Sequence, residues 1–150
     1  MPLPEGFDRD AFIAQLRVKH MRILAPGIEF AVEDGWLPLI ADSLHKIELS
    51  LELHGWAKKA VVKQIKEKMG DLRIYVRPRR ESASYPDALV RDLEIIRNLV
   101  TQGSRLTCEI CSDPGRIDSF AGYFQCLCPR HAEQRRGWIA GGRKGDIFDV

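Results

Sequence analysis

The chain has 150 residues, of which 45% are hydrophobic and 29% charged, with a formal net charge of +2. That length suits one compact domain, or one domain with a small appendage, and the composition excludes global disorder and fibrous repeats. The longest run without Asp, Glu, Lys or Arg is Ser119 to Pro129, 11 residues, too short to span a bilayer. The opening MPLPEGFDRD lacks the basic and apolar regions of a secretory signal, so a soluble, cytoplasmic protein is expected.

Mapped along the chain, the charge is uneven. Residues 1–56 carry −4, residues 57–80 carry +7, residues 81–102 carry −2 and residues 103–150 carry +1. The near-neutral total therefore hides one concentrated basic segment behind an acidic N-terminal region.

The N-terminal region reads as helical. Asp8 or Asp10 is placed to cap a first helix through Phe12, Ile13 and Leu16 that runs on over residues 19–23, and Ala25-Pro26-Gly27 is its expected stop. Residues 28–34 read as an extended or loop segment. Gly35-Trp36 then leads into a second helix, with Pro38 in its first turn and Leu37, Ile40, Leu44, Ile47 and Leu51 as its apolar stripe.

After Trp56 the period changes. Leu72, Ile74 and Val76 alternate with Arg73, Tyr75 and Arg77, the pattern of a half-buried strand, and residues 60–66 with Val61, Val62 and Ile65 form an antiparallel partner across Met69-Gly70. Pro78 ends the strand and residues 79–86 read as loop. A third helix is expected from Pro86-Asp87, with Leu89, Leu93, Ile96 and Val100 as its stripe and Gly103 as its end.

All four cysteines fall between Cys108 and Cys128, and clustering of that kind in a reduced compartment favours metal ligation over disulfides. Cys108-x2-Cys111 is followed by the turn residues Asp113-Pro114-Gly115. Sixteen residues separate Cys111 from Cys128-x2-His131, which is followed by a helix-compatible run. A turn pair joined to a pair at a helix N-terminus resembles a treble-clef zinc finger. It points to a structural Zn2+ on Cys108, Cys111, Cys128 and His131. Cys126 is the alternative third thiolate. The expected class is thus α+β: helices packed with a small antiparallel hairpin or sheet, plus a C-terminal treble-clef-like finger. Residues 1–104 form the core, 105–138 the finger and 139–150 a flexible tail.

The basic segment is the second candidate. With Leu72, Ile74 and Val76 inward, Arg73, Tyr75 and Arg77 line the opposite face, and Lys63, Lys66, Lys68, Arg79 and Arg80 add charge around them, flanked by Lys58 and Lys59. Cations neutralise phosphates and an exposed Tyr stacks on an unpaired base. The competing reading is a solvated sheet face whose charges block edge-to-edge pairing.

KEKMGDLRIY, the apolar helix, CEICSDPG and LCPRHA together resemble an uncharacterised family of phages and bacteria. Its pattern is GW near the start, KEKFG-x-LRFY in the middle and a CE-x-CG-x-PG…LC-x-x-H finger at the end. The resemblance spans about residues 28–134, with Gly35-Trp36 as the GW. It implies metal ligands at Cys108, Cys111, Cys128 and His131, no counterpart of Cys126, and a phage or prophage context. Met69 and Ile74 stand where Phe is usual, and Ser112 where Gly is usual, a departure that strains the knuckle if positive φ is required there.

Three functional readings follow. The first is a non-enzymatic zinc protein binding nucleic acid through the basic hairpin. The second is a protein-binding inhibitor or immunity-type factor that targets a nucleic-acid-processing enzyme. The third is a metal-dependent nuclease whose site the sequence does not identify; Glu67 and Asp71 could bind a divalent cation, but they read rather as charge partners for the neighbouring lysines. Against the third, no His follows His131, Asn98 is the sole Asn, and no Lys has an acid two residues before it. No catalytic residue is assigned. His20, His45 and His54 lack ligand or nucleophile spacing, and His45 is expected to pack beside the stripe of the second helix.

Overall fold

A computed structural model describes residues 2–148. The first helix, α1 (Arg9–Lys19), is capped by Asp8, whose carboxylate accepts from the Ala11 N–H at 3.0 Å. It stops before the Pro26-Gly27 signal. Buried His20 turns inward to Glu48, with Nδ1 2.6 Å from Oε1. The following backbone is drawn to the sheet: Val62 N donates to Ile23 O at 2.6 Å and Ala25 N to Val62 O at 3.1 Å. Tertiary hydrogen bonding thus ends the helix a turn and more ahead of its local breakers.

Within the segment expected to be extended or loop lies a short strand, β1 (Phe30–Ala31). It pairs in parallel with β2 (Ala60–Lys68), which pairs antiparallel with β3 (Asp71–Pro78), in the order β1-β2-β3. The sheet is therefore mixed rather than a plain hairpin, because Phe30 is buried and its strand has an open edge of β2 to satisfy. Met69 (φ 52°) and Gly70 (φ 89°) form the β2–β3 turn, the left-handed pair a two-residue hairpin requires. Val62 faces Val76 and Gln64 faces Tyr75, so Lys63 is the extra residue of a bulge.

A 3-10 turn (Asp34–Trp36) feeds α2 (Leu37–Leu53), and all five residues of its expected stripe are buried. His45, expected to pack beside that stripe, is instead exposed: it follows Leu44 by one residue and is turned off the buried face. The third helix, α3 (Asp87–Arg105), packs on α2 and β3. It continues past Gly103, which lies against Leu39, and Arg105 in its last turn reaches Asp71. Asp71 is 2% exposed and accepts from Arg73 Nε at 2.6 Å and Arg105 Nη2 at 3.0 Å, while the adjacent Leu72 N–H donates to Ser104 Oγ at 3.0 Å. These bonds lock the hairpin to the end of α3.

The C-terminal module has a knuckle over residues 108–111, a hairpin of β4 (Arg116–Phe120) and β5 (Tyr123–Leu127), and α4 (Pro129–Ala140) with Cys128 as its N-cap. This is the expected treble-clef-like order in an α+β protein. The last helix extends two residues beyond position 138. In the segment after it, Gly145 O accepts from Trp138 Nε1 at 3.0 Å and Phe148 packs edge-on to His131, with centroids 5.4 Å apart. The last two residues of the expected tail lie outside the described residues.

Gly35-Trp36 joins the two modules. Gly35 N donates to Glu109 O at 2.7 Å, Trp36 Nε1 donates to Thr107 O at 2.9 Å, and Ser112 Oγ donates to Gly35 O. A Cβ at position 35 would lie 2.2 Å from Cys108 O and 2.5 Å from the Glu109 carbonyl carbon, so only glycine permits this approach. Gly35→Ala should force the backbones apart and cost about 3 kcal/mol in denaturant unfolding, an overpacking effect against backbone that cannot yield. Asp71→Ala should cost about 2 kcal/mol in the same measurement, since charge-assisted hydrogen bonds from two guanidinium groups are lost. Both guanidinium groups retain access to water, which limits that cost.

Candidate functional site

The knuckle brings Cys108 and Cys111 together, and the N-terminus of α4 presents Cys128 and His131. Their four donor atoms all lie within 4.8 Å of one another. Cys111 Sγ and Cys128 Sγ are 3.8 Å apart, and His131 Nδ1 is 3.6 Å from Cys108 Sγ and 3.3 Å from Cys128 Sγ. A tetrahedral ion with metal–sulfur distances of about 2.3 Å places sulfurs at about 3.8 Å from one another. The four side chains therefore form a site that could hold one metal ion.

Backbone chemistry around the cluster suits anionic sulfur. The His131 N–H donates to Cys128 Sγ at 3.5 Å, and the Ser112 N–H closes the knuckle onto Cys108 O at 3.0 Å. Burial, with Cys108 alongside, pushes the Cys111 thiol up to about 12. A dipositive ion among the sulfurs reverses that preference and holds thiolates. Ser112 takes φ 71°, the conformation for which glycine is the usual residue; its hydroxyl bond to Gly35 O is the compensation for that strain.

Cys126 points elsewhere. It is fully buried, packs in the main core rather than with the finger, and burial pushes its thiol up to about 12. Its carbonyl accepts from the Glu109 N–H at 3.0 Å, which ties β5 to the knuckle. Alternation along β5 places neighbouring residues on opposite faces, so Cys126 and Leu127 serve different cores.

The basic segment does not form one uniform patch. Tyr75 is half-buried on the outer face of the sheet, with Lys66 Nζ 5.5 Å and Arg77 Cζ 5.4 Å from its ring centroid. Together with Lys63 and Arg79 they line a cleft of about 720 Å3, whose acidic member is Glu81. Three of the expected residues stand outside it. Arg73 is engaged by Asp71, Lys68 lies at the hairpin end opposite Asp71, and Arg80 is exposed beyond the strand. Arg79 also donates from Nη2 to Arg22 O at 2.7 Å, so part of its bonding capacity is used internally.

Glu67 and Asp71 are not brought together as a cation pair. Asp71 is consumed by Arg73 and Arg105, whereas Glu67 opens into a separate cleft with Glu33, Glu109 and Gln125. Glu109 is 4% exposed, and burial pushes its carboxyl up to about 7 despite a 2.7 Å hydrogen bond from Gln125 Nε2. No spacing rule links these residues, so the sequence alone does not bring them together. His20 and His54 instead pair with Glu48 and Asp92.

Comparisons with protein-family models, with curated proteins and with solved structures find no match. No helix among the described residues is long and apolar enough to cross a membrane. The chain is an α+β protein in which three cysteines and a histidine near the C-terminus converge on a site that could bind a metal.

Elemental analysis separates the cysteines: Cys128→Ser should lose bound metal, while Cys126→Ser should retain one equivalent per chain. Retention in the first with loss in the second would reverse the assignment.

Proposed function

We propose that this is a non-enzymatic protein, stabilised by structural zinc, that binds single-stranded nucleic acid through the outer face of β2 and β3. Three soft thiolates and an imidazole in a closed tetrahedral set are the donor chemistry of structural zinc, with no open position for a substrate or catalytic water. The ion holds the knuckle to α4, and the knuckle in turn holds the Gly35-Trp36 turn.

The observation that carries the nucleic-acid reading is the setting of Tyr75. A half-buried aromatic ring has a lysine and an arginine over it, in a concave patch with the further cations Lys63 and Arg79. The cations offer phosphate contacts, and their movement off the ring onto phosphates would free the ring for base stacking. Solvation alone accounts for exposed charge, but it does not require an aromatic residue at the centre of the cleft.

Fluorescence anisotropy with a labelled single strand tests this. Binding should weaken steeply with salt, and Lys66→Ala or Arg77→Ala should each flatten the slope of log K against log salt by about 0.7. Tyr75→Ala should cost about tenfold in affinity, the loss of one stacked base, with little change in that slope. Equal affinity of wild type and Tyr75→Ala would refute the site. One stoichiometric, nuclease-insensitive protein captured from lysate, with no nucleic-acid binding, would favour the inhibitor reading.

A further inference from the structure

In the order β1-β2-β3, the last strand has β2 on one side and no strand on the other. Alternate residues of such an edge strand point their backbone N–H and C=O groups away from the sheet. Three bonds identify them in β3. The Leu72 N–H donates to Ser104 Oγ of α3 at 3.0 Å, away from β2. Val62, the partner of Val76, spends its N–H and C=O on Ile23 and Ala25, on the side of β2 away from β3. Arg79 N donates to Lys59 O at 2.8 Å, just past the pairing of Ala60 with Pro78. Positions 73, 75 and 77 therefore bond β2, and positions 72, 74 and 76 face outward.

The outward groups are closed off at the two ends of the strand. Ser104 takes the Leu72 N–H, Pro78 has no N–H, and the Val76 carbonyl accepts from Arg77 Nη1 at 3.1 Å. Between them, the Ile74 N–H and C=O and the Val76 N–H have no partner among the described residues.

A second observation lies beside these groups. A cavity of about 200 Å3 opens between this stretch of β3 and α3, lined by Ile74 and Val76 from the strand and Leu93 and Ile96 from the helix. Tyr75 and Arg77 line it too, although their side chains lie on the opposite face of the sheet from Ile74. A cavity lined from both faces of one strand reaches round that strand's edge. Its ionic lining is the exposed trio Arg77, Glu94 and Arg97, a net positive rim.

A free edge beside a helix, with apolar lining, suits an added strand. Residues opposite one another share a face, so those opposite Ile74 and Val76 would enter the apolar cavity. The one opposite Tyr75 would emerge on the face that carries Arg77. A second copy of β3 fits poorly: antiparallel pairing centred on Tyr75 sets Arg73 of one chain against Arg77 of the other, and like charges directly opposite are destabilising.

We propose that the β3 edge binds an extended segment of a partner protein as an added antiparallel strand. Apolar residues of that segment lie opposite Ile74 and Val76, and an acidic residue lies opposite Tyr75, drawn by Arg77 and Arg97. Main-chain bonds to Ile74 and Val76 supply affinity, and the alternation of apolar and acidic side chains supplies selectivity. Peptide binding here is independent of nucleic-acid binding, although Arg77 borders both sites.

The experiment is a 15N NMR titration of the zinc-loaded full chain with a capped Glu-Val-Glu-Val-Glu peptide, following the Ile74 and Val76 amides and their hydrogen exchange. Both amides should shift saturably and exchange more slowly. N-methylation of both valines, whose N–H groups point at β3 in this register, should abolish binding, whereas N-methylation of the central glutamate should leave it. Arg97→Glu, at an exposed position, should weaken binding about tenfold, the loss of one charge-assisted contact. A capped Lys-Val-Lys-Val-Lys peptide should not bind. No saturable shift at millimolar peptide, equal binding of the lysine peptide, or retained binding after valine N-methylation would overturn the proposal. Protection of Ile74 and Val76 that rises with protein concentration alone would overturn it in favour of a second copy.

Discussion

The structure depends on one close approach. The Gly35-Trp36 turn lies so near the Cys108–Glu109 backbone that a single methyl group at position 35 would collide with it. Around that contact the chain makes a backbone bond from Gly35, an indole bond from Trp36 and a hydroxyl bond from Ser112. Trp36 is fully buried, so its hydrogen bond to Thr107 satisfies a polar group that burial would otherwise penalise. The same turn starts α2, the helix that carries much of the main core. Core, metal cluster and Glu109 cleft are therefore positioned by one short segment.

Much of the fold was legible in periodicity. The α2 stripe and the alternation of β3 follow from burial of one face, and the cysteine pairs follow from the reach of a tetrahedral ion. What could not be read depended on partners distant in sequence. The first helix ends at Lys19 because Ile23 and Ala25 bond Val62, not because of Pro26. Two residues at 30–31 become a strand because β2 has an edge to fill. Gly103 looks like a helix stop, yet α3 runs on to engage Asp71.

The candidate sites divide in the same way. Ligand spacing identified the cluster at Cys108, Cys111, Cys128 and His131, and the main-core packing of Cys126 distinguishes it from them. Charge counting located the basic segment but could not show how its charges are spent. Arg73 neutralises buried Asp71, and Arg79 bonds the backbone of Arg22. Lys63, Lys66 and Arg77 around Tyr75 form a smaller surface than the +7 total suggests. The Glu109 cleft left no sequence signature because its residues come from the β1 segment, β2, the knuckle and β5.

The bond between Trp36 and Thr107 spans 71 residues of chain. Closing so long a loop carries an entropic cost that grows with the logarithm of its length, whereas the β2–β3 and β4–β5 hairpins close across two-residue turns. The hairpins and the knuckle thus rest on contacts between near neighbours, whereas the Gly35-Trp36 contact is non-local. A substitution at Gly35 therefore weakens a contact whose closure costs more chain entropy than the turn at Gly70 does.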